Sequence, residues 1–251
     1  MRWLVVVALC LVSASSRADD WEGRRDPFDA NVIRQYKAIL AQDPHDAGAL
    51  RSLVTMYERY RTVAKLESEY RVLLDASESW ATLVVLARLP RASRPDTVAL
   101  WNRALKLKET DARGWLAVGD LSRDVAAARD AYQRAAKHGA APREKRVALM
   151  KLVTAARSVG DAGAVDTAYV ELIALAPKDG ALWLERGNEQ LAAKQLAGAQ
   201  ASFTTAESLL ATDPERRLLA MMNQGVTLER LGRVDDAIVQ YVRTLDNMSR
   251  G

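Results

Sequence analysis

Residues able to do acid–base, nucleophilic or metal chemistry are few in this 251-residue chain, and their spacing assembles none of the familiar sites. There are two histidines, His45 and His138, and one cysteine, Cys10. His45 follows Pro44 and His138 precedes Gly139, so both read as solvated turn residues, not as bases or metal ligands. No HExxH, GxSxG, GxGxxG or Walker-type loop appears. The acid pairs Asp19/Asp20 and Asp235/Asp236 read as helix-start residues, which favour the positive end of the helix dipole. Asn247-Met248-Ser249 is a glycosylation acceptor only where the source glycosylates. No cofactor and no metal is expected, and the chain is not expected to be an enzyme.

What the chain does carry is a ladder. Tyr36, Tyr70, Trp101, Tyr132, Tyr169, Phe203 and Tyr241 recur at intervals of 31 to 38 residues. Self-similarity at about 34 residues marks a repeat array, in which each unit touches mainly its neighbours. Four residues before each aromatic stands a small or apolar residue: Val32, Leu66, Thr97, Ala128, Val165, Ala199 and Ala237. Three residues after stands another: Ile39, Leu73, Ala104, Ala135, Leu172, Ala206 and Thr244. Those spacings keep the set on one helix face. A second helix precedes each of these, marked by Val54, Val85, Gly119, Val153, Gly187 and Gly225. A glycine inside a helix costs ~1 kcal/mol relative to alanine, so close approach of the partner helix is the expected reason for it.

These marks resemble the tetratricopeptide repeat (TPR) family, whose pattern is W-x2-L-G-x2-Y, then A-x3-F, then P. Trp183 and Gly187 open one unit, and Ala199, Phe203 and Ala206 close it. Gly225, Leu228, Gly232, Ala237 and Tyr241 give the fullest match; Trp115, Gly119, Ala128, Tyr132 and Ala135 give another. The closing proline is met at Pro44 and Pro177, Pro214 comes three residues late, and the units around Trp101 and Tyr169 are degenerate. The resemblance covers roughly residues 29–247. It implies an all-α, right-handed superhelical solenoid of antiparallel helix pairs. A lone helix is expected at 29–42. Pairs are expected at 46–75, 78–109, 111–138, 142–176, 179–211 and 214–247. Residues 248–251 remain as a tail. Tyr132 and Phe203 should be buried between the helices of their pairs.

Hydrophobic content of 49% with only 6% aromatic suits helices in contact through small residues. The N-terminus reads as a signal peptide over 1–18: Arg2, the apolar run Leu4 to Val12, then Ser16-Arg17-Ala18 before a cut at Asp19. Nine apolar residues are too few to span a bilayer, which needs ~20. Residues 19–28 are then a linker. Removal of the segment takes Cys10 with it, leaving no thiol. It also removes Arg2 and Arg17, so the net charge falls from +4 to +2, too little to argue for nucleic acid. A periplasmic or secreted location follows. Mass spectrometry of protein from its native host is expected to find Asp19 first; an intact Met1, or a lipid on Cys10, would overturn this.

In the TPR family the first helices of successive pairs line a concave groove that takes an extended peptide or a helix. The resemblance puts Leu116, Met150, Leu184 and Met222 along that groove, with Asp120, Arg123, Thr154, Arg157 and Asn188 beside them. Flexible methionines adapt to irregular partners, and arginine meets carboxylates bidentately. The same residues could instead pack between neighbouring first helices as core. A lysine-rich carboxylate clamp is not expected, since only Asn188 fits that pattern. A basic stretch from Arg88 through Arg91, Arg94, Arg103, Lys106 and Lys108 to Arg113 is a second surface, either a solvated face or a contact for acidic partners. At the far end, Ile238, Val242 and Leu245 share one face, and a solenoid needs a polar cap on its last repeat. That face is expected to self-associate or to dock a partner.

The sequence therefore reads as an exported, non-catalytic scaffold for protein partners, with no membrane span in the mature chain. The alternative is an accessory subunit of an envelope enzyme or of a secretion or pilus assembly. If the chain itself were an enzyme, an acid such as Glu58 or Glu229 in the groove would have to do the chemistry.

Overall fold

The computed structural model describes residues 28–90 and 93–248. The expected signal segment, Cys10, Arg91 and Ser249 lie outside them. Among the described residues the chain forms thirteen α-helices and no strand. The lone helix is α1 (Ala30–Gln42). Six pairs follow: α2 (Ala47–Tyr60) with α3 (Val63–Ala76), α4 (Trp80–Arg88) with α5 (Arg94–Leu107), and α6 (Ala112–Leu121) with α7 (Val125–His138). Then come α8 (Pro142–Ser158) with α9 (Ala162–Leu175), α10 (Gly180–Ala192) with α11 (Leu196–Leu209), and α12 (Pro214–Arg230) with α13 (Val234–Met248). Two helices run one residue past the ends expected from the ladder, α3 to Ala76 and α13 to Met248.

Local chemistry sets those limits. Ten of the thirteen helices start on Asp, Ser or Thr side chains that accept from the exposed N–H groups of the first turn. Asp46 accepts from Ala49, Thr62 from Lys65, Asp111 from Gly114 and Asp161 from Ala164. In the last three pairs the turn between helices repeats one device. Gly160, Lys194 and Gly232 take positive φ. The following N–H then reaches back five residues into the helix end: Asp161 to Ala156, Gln195 to Gln190, Arg233 to Leu228. Lys194, with φ 60°, does with a side chain what glycine does freely at the other two turns.

Each helix packs on the next in sequence, so the stack is one layer of pairs joined end to end. First helices also meet across units, α6 with α8 and α10 with α12. The marker glycines mark where an aromatic ring presses on the helix backbone. A Cβ at Gly119 would lie 2.3 Å from the Tyr132 ring, at Gly187 2.6 Å from the Phe203 ring, and at Gly225 2.4 Å from the Tyr241 ring. Phe203 and Tyr169 are fully buried, and Tyr132 is nearly so.

The N-terminal end departs from the expected face. Ile39 and Leu73 are exposed, and their neighbours Leu40 and Leu74 are buried instead. For Ile39 the reason is that α1 has no first helix of its own: it packs on α2 and also reaches α4. Its contact with the first pair runs through Glu69 of α3, which receives the Tyr57 hydroxyl and the Lys37 ammonium, each at 2.6 Å. Burial opposes ionisation of that carboxyl, yet the bonds from Lys37 and Tyr57 outweigh it and hold Glu69 below the usual carboxylate range.

Candidate interaction surfaces

Polar links tie successive first helices together along one edge of the stack. Lys151 of α8 meets Asp120 of α6 at 2.6 Å, and the Tyr132 hydroxyl donates to the same carboxylate at 2.8 Å. Burial, then that bond to Asp120, pushes the Tyr132 phenol up to about 12. Arg157 of α8 pairs with Glu189 of α10 at 2.6 Å. The Asn223 amide of α12 donates to Asn188 of α10 at 2.8 Å. A recess of about 500 Å³ opens beside Tyr132, between α6, α7 and α8; Asp120, Met150, Lys151 and Thr154 line it. A neighbouring recess of about 420 Å³ shares Asp120 and is lined by Arg88, Trp101 and Arg113.

The residues expected to line the groove divide. Met150 and Met222 are exposed, at 40% and 47%. Asp120, Arg123, Thr154 and Arg157 are exposed beside them, and Leu116 and Asn188 are half-buried. Arg157 is committed to Glu189, and the Thr154 hydroxyl donates to the Met150 carbonyl. Arg123 lies in the turn after α6 and faces a third recess, with Pro95, Val98 and Leu121. Leu184 does not belong to this surface. It is 5% exposed and sits in one cluster with Ala199 and Phe203 of α11 and Ala220 of α12. The direct approach of α12 to α10 closes over it. Two apolar residues missing from the expected set take its place: Val147, three before Met150, and Leu219, three before Met222, are both exposed. Their signal was the three-residue spacing, which repeats the helix face one turn earlier.

His45 also departs from expectation. It is half-buried, with only 10% of its side chain exposed, not solvated. Its Nε2 lies 2.9 Å from both carboxylate oxygens of Asp111, and its ring stacks on Trp101 with centroids 6.0 Å apart. The Trp80 indole N–H and the Gly114 backbone N–H donate to the same carboxylate at 3.0 and 3.1 Å. Burial works against the charged form of Asp111, but the bonds, that from His45 first, hold its carboxyl below the usual range. The cluster fastens the turn after α1 to the start of α6. The basic stretch is likewise dispersed over separate contacts. Arg88 donates to the Pro44 carbonyl, Arg103 and Arg113 pair with Glu78 and Glu144, and Lys108 sits 3.7 Å above the Trp80 ring.

At the C-terminal end, Ile238, Val242 and Leu245 are all exposed, with Val234 and Met248 in line with them. The inward face of α13 is made by Ala237, Gln240 and Thr244. One polar cluster is buried just inside it. Glu207 of α11 accepts from Gln224 of α12 at 2.9 Å and from Arg243 of α13, and Arg217 of α12 stands 3.8 Å away.

No family model and no curated protein sequence matches the chain. Solved structures do. The C-terminal part of a TPR repeat-containing protein from Cytophaga hutchinsonii superposes with a TM-score of 0.52 at 10% identity, over 87% of this chain and 88% of that one. YrrB, described as a TPR protein with an unusual peptide-binding site, gives 0.49 at 16% identity, over 71% of this chain and 91% of that one. The chain is similar in fold to TPR proteins: an all-α solenoid of TPR-like helix pairs. No helix of the described residues is long and apolar enough to cross a membrane.

Proposed function

We propose that the chain is a non-catalytic scaffold of the cell envelope that holds a peptide or helix of a protein partner along its first helices. The observation that carries this reading is a repeated one. Val147 and Met150 on α8, and Leu219 and Met222 on α12, leave large apolar side chains in water at the same two positions of two units. Beside them stand charges already fixed by neighbours, Asp120 with Lys151 and Arg157 with Glu189. Apolar anchors rimmed by ordered polar groups are what a protein partner buries. Export by the N-terminal segment places such a scaffold outside the cytoplasm.

A photo-crosslinking amino acid at position 150 or 222, introduced in the cells that make the protein, is expected to trap the same partner. One at Thr204, exposed on second helix α11, is expected to trap none. Met150→Asp with Met222→Asp should keep the helical circular dichroism and abolish capture. Equal labelling from Thr204 would sink this reading.

A further inference from the structure

The outer face of α13 leaves uncovered a position that the chain covers at every earlier joint. Four residues after each ladder aromatic stands one residue of the second helix: Leu74, Leu105, Ala136, Ile173, Glu207 and Leu245. The first five are buried, at 9% or less; Leu245 is 64% exposed. The five covered second helices each pack against the first helix of the unit that follows: α3 on α4, α5 on α6, α7 on α8, α9 on α10, α11 on α12. At the last of these joints the contact is explicit, Gln224 of α12 on Glu207 of α11. On α13 the same face is more apolar than on any earlier second helix. Val234, Ile238, Val242, Leu245 and Met248 follow one another at spacings of four and three, and all are exposed.

We infer that this face is a docking site for an amphipathic helix of a partner protein, seated as a first helix seats on the second helix before it. The face continues an interface the chain builds five times, and each time the cover is a first helix, not another second helix. That pattern selects a heterologous helix over a two-fold contact of α13 with its copy. The nearest internal match is the α9–α10 joint. Val170 and Ile173 of α9 occupy the places of Val242 and Leu245; Ile173 is buried at this joint, where α9 meets α10, and Val170 stays 46% exposed. Asp166, which pairs with Arg186 of α10, occupies the place of Ile238. The occupant should therefore resemble α10, with an apolar residue where α10 has Arg186.

The test uses the full chain and a fluorescent peptide of residues 178–194 carrying Arg186→Leu. Short helices are marginal alone in water, so anisotropy is followed to about 1 mM peptide. Saturable binding is expected, weakened tenfold or more by Ile238→Lys and, separately, by Leu245→Lys, two surface changes that leave the circular dichroism unchanged. Sedimentation is run beside it. No binding up to that concentration overturns the proposal, as does binding that neither substitution weakens. A dimer that Leu245→Lys dissolves and the peptide does not compete with also overturns it, since the face would then belong to a second copy.

Discussion

Phe203→Ala is expected to cost the protein about 3–5 kcal/mol, the range for truncating a large aromatic in a core. The ring is fully buried and presses on α10 at Gly187, with Leu184 and Ala206 in the same cluster. Alanine would remove the one side chain that fills the space between α10 and α11. Neither helix can close that gap, because both are also held by neighbours on their other sides. Tyr132→Ala should fall at the lower end of the range. Its hydroxyl reaches Asp120 at the solvent edge, where Lys151 remains to compensate that carboxylate. Urea unfolding followed by Trp183 fluorescence reports the joint directly, since Trp183 packs on the same cluster. A loss under about 1 kcal/mol for Phe203→Ala would mean that the aromatic ladder is not what holds the pairs together.

The second expectation reverses a familiar sign. Glycine to alanine inside a helix normally stabilises, by about 1 kcal/mol, because alanine restricts the unfolded chain and is the best helix former. Gly187→Ala should instead destabilise. Its Cβ would stand 2.6 Å from one carbon of the Phe203 ring and 2.7 Å from the next, closer than carbon atoms pack. Overpacking of that kind costs ~1–3 kcal/mol or more, and at the upper end it exceeds the propensity gain, leaving a net loss of about 2 kcal/mol. Gly163→Ala is the control within the same fold. Gly163 is exposed in the first turn of α9, and its Cβ would meet nothing nearer than the Asp161 carboxylate at 3.6 Å. That change should stabilise by ~0.5–1 kcal/mol. Equal signs for the two would refute the ring-on-backbone account of the marker glycines.

The same glycines show why the fold was legible in the sequence. A repeat array is written in short-range spacings, and the aromatic, the small residue four before it and the glycine of the preceding helix all lie within one unit. What the spacing could not hold was anything set by a neighbour two helices away. Leu184 and Met150 occupy equivalent places, yet one is core and the other surface, because α12 closes on α10 through Ala220. His45 looked like a turn residue because its partners Trp80, Trp101 and Asp111 stand 35 to 66 residues further on. Ile39 kept the ladder spacing but lost its face, since the lone α1 has no first helix to turn against.

Glu207 has a consequence for assembly. A chain built of similar units risks docking the wrong neighbours as it folds, because most of its joints present the same apolar chemistry. Glu207 takes the place that Leu74, Leu105, Ala136 and Ile173 hold elsewhere, and its carboxylate is buried. Only the α12–α13 unit brings Gln224, Arg217 and Arg243 to it. Were α11 to settle on any other first helix, that carboxylate would be taken out of water without these partners, at a cost of several kcal/mol. One acid among apolar neighbours thus gives the last joint an address that its relatives in the chain lack.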